Sequence, residues 1–342
     1  MDMTHRITRA AICLPLALGL ATEAGAFTAC QITDTGGIDD NSFNQTAWQG
    51  VLDAQGQLGI DARFLESQAE TDYEANITSL LGGQCDVIFT IGFLLGDATQ
   101  AAALANPDQM FSIVDYAYDP AIPNVLGQVY ATDEAAFLAG YLAAGMTETG
   151  ILGVFGGINI PPVTIFMDGF AWGVDHYNGV HGTSVTVLGW DPDTREGLFT
   201  NNFDSLDDGR AFAQNLYDEG ADIVLPVAGP VGLGSAALAA ELGPDELMII
   251  GVDADLYLTD PERGQVYLTS IMKRMDATVF QVIEQAIAGT FEGGVIVGTL
   301  ENGGVDIAPF HDFEGSVPAA LAEELATVRA GIIDGSIAVG GM

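Results

Sequence analysis

Basic side chains are nearly missing from this chain. Lysine and arginine together number 9 against 47 aspartates and glutamates, a formal net charge of −38 at pH 7. Such a surface excludes binding to nucleic acid or to an anionic membrane face, since both need clustered cations. The surplus of carboxylates instead suits a salty medium, where it keeps a protein hydrated and dispersed. Long apolar runs are missing as well. The run Ala10–Leu20 is shorter than the roughly 20 residues that span a bilayer, and no later stretch is long enough. Cysteine is scarce, with three in the chain, and no Cys/His cluster has metal-ligand spacing. No Gly-rich segment ends in Gly-Lys-Ser/Thr, the cradle that holds a nucleotide phosphate. There is a single lysine, Lys273. In a chain that avoids lysine everywhere else, that one is expected to do what glutamate or alanine cannot.

The first residues read as an export signal. Arg6 and Arg9 precede the apolar run, and Ala24-Gly25-Ala26 offers a small-x-small cleavage site before Phe27. Its removal takes two acids and two arginines, so the net charge does not change. The expected product, residues 27–342, is soluble, periplasmic and monomeric. Lipid attachment at Cys30 is disfavoured, because Phe27 stands where leucine is usual and the first strand begins at once. Cys30 and Cys85 then remain. An oxidising compartment permits a disulfide between them, and two buried thiols are the alternative.

Short apolar runs alternate with amphipathic stretches along the rest of the chain. Predicted strands include 29–33, 62–66, 87–91, 110–114, 125–129, 151–155, 223–227, 248–252 and 265–269. Helical patterns at 43–57, 73–81, 135–146, 164–177, 208–219 and 277–288 lie between them. This alternation predicts parallel sheets built from βαβ units, and the length predicts two Rossmann-like lobes. The pattern restarts near Gly150. The expected division places 27–128 with about 265–295 in one lobe, and 129–264 with about 296–342 in the other. Short crossings between lobes suit hinge closure.

In open α/β sheets ligands bind beyond the carboxyl ends of the strands. Candidate residues at those ends are Asp34, Phe43 and Asn44 after the first strand, then Phe93, Asp115, Gly229, Asp253 with Asp255, and Lys273. Asp39, Asp40 and Ser42 read more naturally as helix caps. Converging carboxylates, one ammonium and an aromatic suit a polyhydroxyl ligand carrying a flat ring. The carboxylates accept from hydroxyls, the lysine donates and offsets their repulsion, and Phe43 stacks on the ring. An acidic cleft repels a phosphorylated ligand.

The run Asp34-Thr35-Gly36-Gly37-Ile38-Asp39-Asp40-Asn41-Ser42-Phe43-Asn44-Gln45 resembles the signature of the basic membrane protein family. Ile91-Gly92-Phe93, Ile113-Val114-Asp115, Gly220-Ala221-Asp222-Ile223, Gly251-Val252-Asp253-Ala254-Asp255 and Thr269-Ser270-Ile271-Met272-Lys273 continue it in order. Members are solute-binding proteins of ABC importers, and several bind purine nucleosides. The resemblance implies a type I periplasmic binding fold. It implies Asp34 and Asn44 against the base, Phe43 stacked on it, and Asp115, Asp253 and Lys273 on the ribose, with the backbone near Gly229 closing the site. It implies an inner-membrane permease and ATPase as partners, and neither cofactor nor metal. One departure stands out. The family's nucleoside binders carry a second phenylalanine where this chain has Leu225-Pro226, so either the base is held on one aromatic face only or Trp190 takes over from the other lobe.

An enzyme is the rival reading, because the segment from Thr33 to Asp40 is also similar to the start of calcium-dependent nucleoside hydrolases. There the aspartate pair follows the first aspartate at four and five residues, whereas Asp39 and Asp40 follow Asp34 at five and six. A binding lobe that feeds a membrane sensor is the other alternative.

Overall fold

The computed structural model describes residues 26–82 and 84–340. Of the expected export signal, residues 1–26, all but Ala26 lie outside the described residues. The strands in chain order are β1 (Thr28–Ile32), β2 (Asp61–Leu65), β3 (Val87–Ile91), β4 (Met110–Val114), β5 (Val125–Tyr130), β6 (Ile151–Gly156) and β7 (Thr186–Leu188). A small hairpin of β8 (Trp190–Asp191) and β9 (Glu196–Gly197) follows. The last five are β10 (Ile223–Val227), β11 (Met248–Asp253), β12 (Tyr267–Lys273), β13 (Gly294–Gly298) and β14 (Val305–Ile307).

Two six-stranded sheets result, in the orders β13-β5-β4-β3-β1-β2 and β14-β12-β11-β10-β6-β7. All pairings within them are parallel except β12 with β14. The central strands β1, β3 and β10 are buried at every position, as expected when helices cover both faces. The edge strand β2 carries Asp61 and Arg63 and is largely exposed, which discourages pairing with another chain.

The chain crosses between the sheets after β5, after β12 and between β13 and β14. The expected boundary near 265 needs correction. It assigned β12 to the first lobe, but β12 pairs with β11 in the second sheet. The return to the first lobe begins with the following helix, Met275–Ala288, which packs against helix Phe43–Leu58. The reason is that β12 is a buried apolar strand whose partner β11 is already in the second sheet, so the crossing waits until that pairing is complete. Strand β13, Gly-Val-Ile-Val-Gly, was not among the predicted strands and finishes the first sheet beside β5.

Helix ends follow local chemistry. Helix Phe43–Leu58 stops at Gly59 and helix Pro161–His181 at Gly182, both in left-handed conformation (φ 71° and 66°). The latter helix opens on a proline, whose missing N–H costs nothing there. Cys30 and Cys85 form a disulfide with Cα atoms 5.9 Å apart, which resolves the open pairing.

Arg195, Arg210, Arg263, Lys273, Arg274 and Arg329 each pair with a carboxylate, and with only 9 basic residues against 47 acids most acidic side chains have no cation to pair with. Their repulsion opposes the compact state. Thermal stability is therefore expected to rise as salt is raised from about 0.1 M to about 1 M, which shortens the screening length from about 10 Å to about 3 Å. A melting temperature that stays flat or falls over that range contradicts this.

Candidate functional site

Carboxyl ends of strands from both sheets meet across one cleft. It holds about 590 Å³ of empty space, open solvent at its mouth included. Asp34, Phe43, Phe93 and Asp115 come from the first lobe, and Gly229, Asp253 and Lys273 from the second; all line it.

Lys273 ends β12 with its side chain 4% exposed. Its Nζ donates to Asp115 Oδ2 at 2.7 Å and lies 3.3 Å from Asp253 Oδ1. Burial works against the ammonium, but Asp115 and Asp253 outweigh it and hold its pKa above the ordinary lysine value. The lysine thus stays charged and ties the two lobes together. Nζ also lies 5.0 Å from the centre of the Phe43 ring and 5.1 Å from that of Phe166, close enough for attraction to both faces. Asp115 and Asp253 both adopt left-handed backbone (φ 64° and 69°). That conformation costs on the order of 1 kcal/mol or more for a side chain, a strain that clusters where geometry serves a ligand. Ser42 of the first lobe adds a second link, donating to Val252 O at 3.0 Å and to Asp253 Oδ2 at 3.3 Å.

The loop after β1 is organised by two aspartates. Asp40 accepts from the backbone N–H groups of Ser42, Asn44 and Gln45 at 3.0, 2.8 and 3.0 Å, the capping duty expected of it. Asp40 also touches the cleft, and burial pushes its carboxyl up to about 7 against those hydrogen bonds. Asp34 Oδ1 accepts from Gly36 N at 2.9 Å and from Asn44 Nδ2 at 2.7 Å. Burial raises the Asp34 pKa, with those two bonds opposing and Asp253 and Asp115 adding to the rise.

Three expected site residues stand elsewhere. Asn44 is not part of the cleft wall. It is buried beneath Asp34 and Asp40 and donates to both, because its position in the first turn of the helix points it back under the loop. Trp190 is also absent from the wall. Its indole N–H is spent on Asp168 at 2.9 Å, and Arg195 covers its ring. Asp255 lies beyond the turn that follows β11 and is bound to His311 at 2.8 Å.

Sequence reasoning missed Phe166 and Phe203, which also line the cleft. Phe166 is 2% exposed and sits in the helix that follows β6. A signal was available: β6 opens the second lobe as β1 opens the first, and each is followed by a helix whose first turns carry a phenylalanine. Phe166 is thus the second-lobe counterpart of Phe43. Phe166 brings a second aromatic to the cleft from the helix after β6, the strand beside β10. Pro226 lacks an N–H, and the β10–β11 pairing ends at Val224.

The family described as ABC transporter substrate-binding protein, PnrA-like, matches residues 27–339. The chain belongs to this family. Among relatives of this substrate-binding family, the CD4+ T-cell-stimulating antigen of Listeria monocytogenes is 31% identical, over 92% of this chain and 88% of its own. The ABC transporter nucleoside-binding protein BmpA of Lactococcus lactis subsp. cremoris is 31% identical, over 91% and 88%. A solved ABC transporter solute-binding protein from Aeropyrum pernix K1 superposes with a TM-score of 0.82 at 25% identity, covering 91% of this chain and 92% of that one. The substrate-binding reading therefore stands and the hydrolase alternative is not favoured. Asp39, one of the pair it needed, is exposed, and Asp40 is occupied as a cap. Among the described residues, no helix is long and apolar enough to cross a membrane.

Proposed function

We propose that this chain captures a nucleoside, a purine nucleoside in particular, between its lobes. It then delivers the ligand from the periplasm to a permease and ATPase complex, as an exported monomer cleaved near Ala26. The observation that carries this reading is the Asp115–Lys273–Asp253 group beneath the Phe43 and Phe166 rings. The ion-paired group offers both acceptors and a donor to vicinal hydroxyls, and charge-assisted hydrogen bonds of this kind are about twice as strong as neutral ones. Phe43 and Phe166 both line the cleft, where a flat base would stack on them. An excess of carboxylates over the one cation turns phosphorylated ligands away. Because Lys273 and Asp115 belong to different lobes, a ribose between them would hold the closed form together.

Isothermal titration of refolded, ligand-stripped protein with adenosine, guanosine, inosine, uridine and the free bases tests this. Nucleosides should bind tightly and free bases weakly. Silence with every nucleoside would keep the fold and discard the ligand. Phe166→Ala should weaken purine nucleoside binding by about 10- to 100-fold, the usual worth of one stacked ring. If Trp190→Ala proves the more damaging of the two, the assignment of the second aromatic is wrong.

A further inference from the structure

The two oxygens of Asp34 are not equivalent. Oδ1 is saturated by Gly36 N–H and the Asn44 amide. Among the described residues Oδ2 accepts no hydrogen bond, and it borders the cleft beside Gly92, where a Cβ would stand 3.3 Å from it and 3.6 Å from Phe43 Cε1. Glycine at 92 (φ 119°) keeps that oxygen uncovered. A flat ring lying on Phe43 would present its edge to this one free atom. Ionised, Oδ2 can only accept; protonated, it donates.

We propose that Asp34 chooses the base by its proton: ionised it takes a ring N–H, protonated it gives a hydrogen to a bare ring nitrogen, so preference among nucleosides changes with pH. This rests on the nucleoside reading above. The surroundings make the switch accessible. Facing Asp34 are Asn44 and Phe43 from the helix after β1, Gly36 and Asp40 from its own loop, and Gly92 after β3. Asp115 after β4, Asp253 of β11 and Lys273 of β12 complete the ring, with the Tyr73 hydroxyl near enough to feel the charge. Lys273 is committed to Asp115 and Asp253, so Asp34 has no cation of its own. Burial raises its pKa above the ordinary aspartate value, with Asp253 and Asp115 adding to the rise and its two hydrogen bonds opposing it.

Two probes separate the states. Inosine carries a ring N–H on its base, while purine riboside has the same ribose and a base with acceptors alone. Their affinities are measured by titration from pH 5 to pH 8, and the readout is the ratio. Titration of Asp40, Asp115 or Asp253, which act on both ligands alike, cancels from it. The wild type should favour inosine at pH 8, and that preference should shrink by about tenfold or more at pH 5, the usual cost of facing two acceptors or two donors. In Asp34→Asn, whose amide does not titrate, the ratio should be flat across the range. Binding of both nucleosides with a pH-independent ratio in the wild type overturns the proposal and leaves the nucleoside reading standing. A slope that persists in Asp34→Asn assigns the switch to another group and overturns it too. No binding of either probe at any pH overturns the nucleoside reading, and the proposal with it.

Discussion

Lys273→Ala is expected to reduce nucleoside affinity by on the order of a thousandfold. Removing the ammonium deletes one donor to the ligand and also strands Asp115 and Asp253, which are both 8% exposed and repel one another. Breaking a buried pair by removing one partner costs about 3–5 kcal/mol, and each 1.4 kcal/mol is about a factor of ten. The ligand-free fold has an escape that the complex does not, because a stranded carboxyl can take up a proton. The sign follows from Asp115. Without Lys273 nothing opposes its burial, so its folded-state pKa stands above its unfolded value. Stability of the variant is then greatest below the unfolded pKa near 4 (about the ordinary aspartate value) and declines as pH rises through the folded one. Inosine titration at pH 7.5, with thermal melts at acid and neutral pH, reads both effects. A folded variant that still binds inosine nearly as well as the wild type removes Lys273 from the site.

Replacing both Cys30 and Cys85 by alanine should lower unfolding stability by about 4 kcal/mol, the loop-closure value for cysteines 55 residues apart. That is a large part of the roughly 5–15 kcal/mol that holds a domain together. Both cysteines are buried, Cys30 in β1 and Cys85 just ahead of β3, so substitution also removes packing. The closed loop contains the whole Asp34–Asn44 segment, yet those side chains are held by Asp40 and Asn44 and not by the sulfurs. Urea unfolding should shift strongly while inosine affinity at low denaturant stays near the wild-type value. Equal midpoints for the wild type and the double variant would show that the crosslink contributes nothing.

Much of this could be read before any coordinates. Strands β3, β4 and β10 match their predicted limits because unbroken apolar runs between turn residues have few other solutions. Asp34, Asp115 and Asp253 could be placed for a related reason, while Lys273 stood out as the single lysine. In a parallel sheet, the residue after a buried strand emerges at the ligand face wherever the strand lies. Asn44 and Trp190 were misplaced because a polar or aromatic side chain near a site can face the ligand or the protein beneath it. Which it does depends on partners such as Asp40 and Asp168, distant or turned by the fold.

The amino-acid sequence by itself determined the alternation of strand and helix, the acidic surface, and which charged side chain is singular. Local patterning and composition carry that information in short windows. Only the tertiary structure decided that β12 joins the second sheet before the chain returns to the first, that Phe166 joins Phe43 at the cleft, and that Asp34 keeps one oxygen free. Each depends on residues far apart in the chain meeting across a cleft. The energy that selects such meetings is packing and hydrogen bonding between elements, which no local window contains.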